Sequence, residues 1–298
     1  MQASWNEVEF TQVLANGLSF EVATLGSGDR LALCLHGFPE HACSWRHQMP
    51  LLAGLGYRVW APNLRGYGNT DAPQGLASYN LNVLVEDVAA LIRASGAKET
   101  VLIGHDWGGM LAWLLAMRQP ELVDRLVICN MPHPACFLRE VKRPVQFFRS
   151  WYILLFQIPH LPEALLGRNH AQAIAQMILR TARDPSRFPD EVLDLYRRNA
   201  SRPGRLTAML NWYRALLRGG GWRKLGASPW PRISIPTLLL WGDADTALSL
   251  RATRGTEQYV SNLTFHVLSG VSHWVQGEAP EAVNLHIETW LTSHGTDI

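Results

Sequence analysis

Apolar positions along this chain follow two rhythms in alternation. Leu31-Ala32-Leu33-Cys34-Leu35, Tyr57-Arg58-Val59-Trp60-Ala61-Pro62, Thr100-Val101-Leu102-Ile103 and Leu126-Val127-Ile128-Cys129 are short, nearly unbroken apolar runs, the pattern of strands covered on both faces. Helical periods over Leu81 to Arg93 and Met110 to Met117 separate the later runs. Before all of these, residues 7 to 24 alternate apolar and polar around Ala15-Asn16-Gly17, which predicts a hairpin turning at Asn-Gly. From Pro132 to Pro231 the strand rhythm stops, and helical periods with many aromatics and proline stops take over. Strands resume with Pro236-Thr237-Leu238-Leu239-Leu240-Trp241 and Leu263-Thr264-Phe265-His266-Val267-Leu268, and a helix from Pro280 to Thr292 closes the chain.

Strands alternating with helices imply an α/β protein with a mostly parallel sheet wrapped by helices, its reactive loops at the carboxyl ends of the strands. The expected division is a core of residues 1–131 and 232–298 with a helical insertion, 132–231, after one strand. No internal repeat, low-complexity segment or long linker argues for independent domains.

Composition narrows the partners. A net charge of +2 makes no case for nucleic acid. Arg139, Lys142, Arg143, Arg149, Arg197, Arg198, Arg202 and Arg205 gather in the insertion, but Trp, Leu and Phe interrupt them, so they are expected to be solvated faces of amphipathic helices. The four cysteines, Cys34, Cys43, Cys129 and Cys136, form no CxxC pair, and buried free thiols in a reducing compartment are expected. The start, Met1-Gln2-Ala3-Ser4-Trp5-Asn6-Glu7, has neither the basic residues nor the apolar run of a signal peptide, and no run reaches the length of a membrane span, so a cytoplasmic protein is expected. Twelve tryptophans suit an apolar pocket as well as plain packing.

The chemistry centres on Gly104-His105-Asp106-Trp107-Gly108-Gly109, where a strand passes through a tight turn into a helix. Small residues two positions either side of Asp106 give the spacing of a nucleophile elbow, which lifts one side chain off the end of a strand. A carboxylate there attacks an electrophilic carbon and leaves an alkyl ester on the protein, whereas a serine would make an acyl-transfer enzyme. The competing role for Asp106 is to cap the following helix.

Hydrolysis of such an ester needs a base. His273, in the loop Ser269-Gly270-Val271-Ser272-His273-Trp274 after the strand from Leu263, is the candidate. Asp245, in Trp241-Gly242-Asp243-Ala244-Asp245, would fix its tautomer; Asp243 competes, but Gly-x-x-Asp leaves Asp245 room to turn inward. The order nucleophile, acid, histidine is that of alpha/beta hydrolases. His266 lies in a strand pattern and is expected to be structural, and His105 to pack behind the nucleophile. Backbone N–H groups of Phe38, in His36-Gly37-Phe38-Pro39, and of Trp107 are the natural oxyanion donors, with a cis Phe38–Pro39 bond plausible in that turn.

On these motifs the chain resembles the epoxide hydrolases of the alpha/beta-hydrolase fold over nearly its whole length. His36-Gly37-Phe38-Pro39-Glu40 with Ser44-Trp45 resembles that family's oxyanion loop, Gly104 to Gly109 its elbow, and Asn130-Met131-Pro132-His133-Pro134 its entry to a helical cap. Tyr152, in Trp151-Tyr152-Ile153-Leu154-Leu155-Phe156-Gln157, and Tyr213, in Asn211-Trp212-Tyr213-Arg214, stand where the family carries two cap tyrosines. The resemblance implies that both phenols donate to an epoxide oxygen as Asp106 opens the ring, and phenols, protonated at neutral pH, suit that task. It also implies a small apolar epoxide as substrate and a vicinal diol as product. His36, Trp107 and Trp212 are the expected substrate contacts. No cofactor or metal is expected, since the chain has no HExxH, P-loop or dinucleotide glycine fingerprint.

The rival class is a haloalkane or haloacid dehalogenase using the same Asp106, His273 and Asp245. Against it, Phe38 stands where some haloalkane dehalogenases carry a halide-binding Asn, and Asn130 replaces an acid that some of them place after this strand. The elbow arginines of fluoroacetate dehalogenases are absent at Trp107 and nearby. A catalytically silent binding protein of the same fold would not be expected to keep all three triad positions.

Overall fold

A computed structural model describes residues 5–225 and 230–293; Met1–Ser4 of the amino-terminal stretch discussed above lie outside the described residues. The expected hairpin forms from β1 (Glu9–Ala15) and β2 (Leu18–Leu25). Asn16 and Gly17 both have positive φ, 47° and 74°, the backbone that a two-residue turn needs to match strand twist. Six more strands follow: β3 (Arg30–Leu35), β4 (Arg58–Pro62), β5 (Glu99–His105), β6 (Arg125–Cys129), β7 (Thr237–Gly242) and β8 (Leu263–Leu268). All eight share one sheet in the order β1-β2-β4-β3-β5-β6-β7-β8. The pairs β1–β2 and β2–β4 are antiparallel, and every later neighbour is parallel.

Unbroken apolar runs became central strands because both faces of the sheet are covered. In β3, Leu31, Leu33 and Leu35 belong to one core, and Ala32 and Cys34 to the other. The register repeats that division across the sheet: Leu33 lies beside Leu102, and Leu102 beside Leu126, all three in the first core. Helices α2 (Leu81–Ser95) and α3 (Trp107–Arg118) cover this face. On the other face lie α1 (Gln48–Gly54), α12 (Val275–Glu278) and α13 (Pro280–Ser293), which contribute Met49, Leu52, Val275, Val283 and Ile287. β8 forms an edge, and Phe265 and Val267 on it remain exposed.

Between β6 and β7 the described residues form helices and no strand, apart from one isolated bridge from Ile233 to Val260. The helices are α4 (Pro134–Glu140), α5 (Pro144–Arg149), α6 (Trp151–Leu155), α7 (Leu161–Leu166), α8 (Arg168–Thr181), α9 (Asp190–Ser201), α10 (Arg205–Arg218) and α11 (Gly221–Leu225), with one short 3-10 turn, Pro185–Arg187. Their buried residues, among them Ile174, Ile178 and Leu210, join the first core rather than forming one apart. Polar ties reinforce the contact. The Trp212 indole N–H donates to the Arg65 carbonyl at 3.1 Å, and Arg202 donates to Gly68 O at 2.7 Å and Asn69 Oδ1 at 2.6 Å. Arg205 donates to Thr70 O. Two of the arginines expected on solvated faces thus clamp the helical insertion to the loop after β4. A helix's own periodicity cannot show such bonds, because they cross to another element.

All four cysteines are free and buried. No helix among the described residues is long and apolar enough to cross a membrane.

Candidate active site

The site is built where β5 ends. Asp106 has φ 49° and ψ −120°, a conformation L-residues rarely adopt and one that costs about 1–3 kcal/mol unless the surroundings hold it. Close packing supplies the hold. A Cβ on Gly104 would come within 2.5 Å of the Gly108 carbonyl oxygen, and one on Gly108 would run into the carbonyls of Leu35 and His36. Only glycines let the strand, the helix start and the neighbouring β3 end approach so closely. The Asp106 side chain makes no capping bond to α3. It points to the sheet edge instead, where Oδ1 accepts from the Phe38 N–H at 2.9 Å. The Phe38–Pro39 bond is cis.

His273 brings its Nε2 to 3.6 Å from Asp106 Oδ2 and its Nδ1 to 2.8 Å from Asp245 Oδ2. Asp245, not Asp243, is therefore the partner acid; Asp243 accepts from Gly270 N–H at 2.7 Å, outside the site. Asp245 is buried and its oxygens are fully engaged. Oδ1 accepts from the N–H groups of Ala247 and Leu248 at 2.7 and 2.8 Å, and Oδ2 also accepts from Asn130 Nδ2 at 2.8 Å. Asn130 in turn accepts from Gly242 N–H at 2.8 Å, so the ends of β6 and β7 jointly aim the acid.

Electrostatics follow from this geometry. Burial disfavours the charged form of His273, but Asp245 and Asp106 on either side outweigh it and hold its pKa well above the ordinary imidazole value. Burial likewise pushes the Asp106 carboxyl up, and His273, His105 and the Phe38 N–H together bring it below the usual carboxylate range. Tyr152 and Tyr213 lie on α6 and α10 with ring centroids 6.0 Å apart. Burial pushes both phenols well above their ordinary value, and the Asp106 charge adds to the effect.

A cavity of about 300 Å³ joins these groups: Asp106, His273 and Phe38 from the core meet Tyr152, Tyr213 and Trp151 from the cap. Met177 and Thr181 of α8, Arg149, Trp274, Thr246 and Ala247 complete its wall. Of these, Thr246 and Trp274 sit beside residues that the sequence singles out, Asp245 and His273. Met177 and Thr181 carry no local signal, because their place depends on how α8 crosses the sheet end. Among the described residues, no group of three His, Cys, Asp or Glu side chains is placed to hold a metal ion.

Three expected substrate contacts, His36, Trp107 and Trp212, lie outside this wall. His36 turns into the sheet end, where its Nε2 accepts from Leu64 N–H at 3.1 Å and its Nδ1 faces Gly37 O at 2.9 Å. Burial pulls its pKa down to about 4, so the ring is neutral with its proton on Nδ1. The Trp107 ring packs against Tyr213 and Trp212, at 5.1 and 5.6 Å, and Trp212 is spent on the tie to Arg65. These aromatics stand behind the tyrosine and fix it.

His105, expected behind the nucleophile, is buried there. Its Nδ1 lies 2.7 Å from Glu40 Oε2 and its Nε2 2.9 Å from the His273 carbonyl oxygen. Glu40 also accepts from Gly37 N–H at 3.0 Å and Gln276 Nε2 at 2.9 Å. One buried chain of bonds thus joins the Phe38 loop, the elbow and the histidine loop.

Comparison with known proteins agrees with this architecture. The model of the alpha/beta hydrolase fold family matches residues 33–280. AB hydrolase superfamily protein YfhM of Bacillus subtilis is 38% identical over 281 residues, covering 94% of this chain and 96% of that protein. Epoxide hydrolase 4 of Homo sapiens is 36% identical over 291 residues, covering 95% of this chain and 78% of its own length. Among solved structures, an epoxide hydrolase of Bacillus megaterium in complex with an inhibitor superposes with a TM-score of 0.87 at 30% identity, over 95% of this chain and all of that one (100%). An epoxide hydrolase of Vigna radiata gives 0.85 at 32% identity, over 98% of this chain and 99% of its own. This chain belongs to the epoxide hydrolases of the alpha/beta-hydrolase fold.

Proposed function

We propose that the protein converts a small apolar epoxide and water to a vicinal diol through a covalent ester on Asp106, with residues 132–231 acting as a cap that carries the ring-opening acids. The observation that carries this reading is the meeting of Asp106, His273, Tyr152 and Tyr213 on one cavity. Its volume, about 300 Å³, sits at the small end for ligand pockets and fits a compact substrate.

Asp106 Oδ2 attacks an epoxide carbon and the C–O bond of the ring breaks. The departing oxygen takes a proton from Tyr152 or Tyr213, because an alkoxide is a poor leaving group unless a donor meets it. Ester formation removes the charge on Asp106, and with it part of what keeps His273 protonated. His273 then gives up a proton, which by way of water restores the phenol, and its Nε2 becomes a base.

In the second half, His273 takes a proton from water while that water's oxygen adds to the Asp106 carboxyl carbon. Negative charge gathers on Oδ1, the atom the Phe38 N–H already meets at 2.9 Å. The Trp107 N–H, at the start of α3 where helix donors lack partners, supplies the second donor. Collapse expels the diol oxygen, which takes the proton of the regenerated carboxyl. Asp106 is again a carboxylate and His273 again an imidazolium, and the two diol hydrogens are accounted for.

Turnover of the purified protein on a small aryl epoxide, a haloalkane and fluoroacetate, reading diol and free halide side by side, tests the reading. Diol without halide is expected. Halide without diol would contradict it, because a halide leaves without the proton that the two tyrosines are assigned to give.

A further inference from the structure

The cap carries an apolar face that the catalytic reading does not use. Phe147, Phe148, Trp151, Leu154, Ile158 and Leu161, on α5, α6, the turn after it and the start of α7, are each between 41 and 71% exposed. Scattered exposed apolar residues such as Leu14 and Leu285 are ordinary on a protein surface. Six large ones on consecutive elements expose on the order of several hundred Å², the size at which a patch marks a contact surface.

The charge beside it has one sign. Between Pro134 and Arg168 the chain carries Arg139, Lys142, Arg143, Arg149 and Arg168 against only Glu140 and Glu163. Glu140 is buried and pairs with Arg143 at 3.2 Å, and Glu163 is held by Arg214 at 2.6 Å, which leaves Lys142 as an exposed cation with no carboxylate of the segment to meet it. Lys142 and Arg143, both exposed, immediately precede α5. A second copy of the chain is a poor occupant, since a two-fold contact would set these cations against their own images with no free carboxylate of the segment between them.

We propose that this face docks on an anionic phospholipid surface, its apolar side chains among the acyl chains and Lys142 and Arg143 at the headgroup phosphates. A basic rim around an apolar patch is the arrangement by which proteins lie on such a surface without spanning it. Trp151 belongs to the face and also lines the cavity with Asp106, so docking turns the cavity mouth toward the bilayer, where apolar epoxides collect. That last consequence rests on the function proposed above; the docking itself does not.

Sedimentation of the 298-residue protein with phosphatidylcholine vesicles, with and without about one phosphatidylglycerol in four lipids, tests it. Binding to the anionic vesicles that high salt reverses is expected. Phe148→Ser with Leu154→Ser, and separately Lys142→Glu with Arg143→Glu, should each lower the partition coefficient about tenfold. Turnover of a water-soluble epoxide by both variants reports that they fold, and either pair decides if the other does not. Wild-type protein that stays in the supernatant, or binding that neither pair weakens, overturns the proposal. So does a dimer in free solution that Phe148→Ser with Leu154→Ser splits, which would give the face to a second copy.

Discussion

At the scale of single residues, the proposed mechanism sets opposite demands on two protons. Ring opening needs phenols that keep theirs, and ester hydrolysis needs an imidazole that has lost its own. Burial pushes Tyr152 and Tyr213 up, so the single-turnover rate of ring opening is expected to stay level as pH rises through about 10, where an ordinary phenol ionises. A fall in that rate near pH 10, read by stopped-flow fluorescence, would count against burial having raised the two phenols. Hydrolysis should behave differently, rising with pH as His273 of the ester form loses its proton. Tyr152→Phe and Tyr213→Phe are each expected to slow ring opening by about ten- to a hundredfold, and the double variant nearly to stop it. Unchanged single-turnover rates in the double variant would return both residues to packing. His273 also shapes stability. Its folded pKa is raised, so its contribution is fully present below about pH 6.5, the unfolded value, and is lost as pH climbs through the folded one.

At the scale of elements, what matters is how strand ends hold these groups. Asn130 binds Asp245 Oδ2 and the Gly242 N–H at once. Asn130→Ala is expected to slow ester hydrolysis about tenfold while leaving ring opening nearly unchanged, because it disturbs the acid behind His273 and not the nucleophile. Equal losses in both steps, resolved by single-turnover and steady-state rates, would contradict that division. Under the cap, Arg65 grips Asp87 through two bonds of 2.6 and 2.7 Å in a buried setting. Arg65→Met strands that carboxylate, and urea unfolding should show a loss of about 3–5 kcal/mol.

The elements that bear the site were also the ones legible in the chain. The runs Leu31–Leu35, Val101–Ile103, Leu126–Cys129 and Leu238–Trp241 in β3, β5, β6 and β7 are apolar without a break because both faces are buried, and Gly104, His105 and Asp106 mark where β5 gives way to the elbow. The Phe38 loop and Asp106 stand directly after β3 and β5, and His273 in the loop after β8, so all three fall at the carboxyl ends of strands. The cap was legible only as helical. Its helices are short and proline-punctuated, and which side chains face the cavity depends on how α6, α8 and α10 lie over the sheet end. For that reason the sequence marks Tyr152 and Tyr213 only through resemblance and Met177 and Thr181 not at all, and it does not show that His36 and Trp212 each commit a ring nitrogen to the backbone.

At the scale of the whole molecule, the proposed mechanism divides catalysis between two layers: the core would supply the nucleophile, base and oxyanion donor, and the helical insertion the acids. Arg214 joins α6, α7 and α10, donating to Phe156 O at 2.8 Å and Ile158 O at 3.1 Å while pairing with Glu163. It thereby sets Tyr152 against Tyr213 without touching substrate. The division makes the covalent ester the central claim, since every other role is defined by making it or breaking it. Intact-mass spectrometry of His273→Gln after exposure to a small aryl epoxide tests that claim most directly. The protein is expected to gain one substrate mass, mapped by peptide analysis to Asp106. A mass that never changes while the wild-type protein forms diol under the same conditions would contradict it.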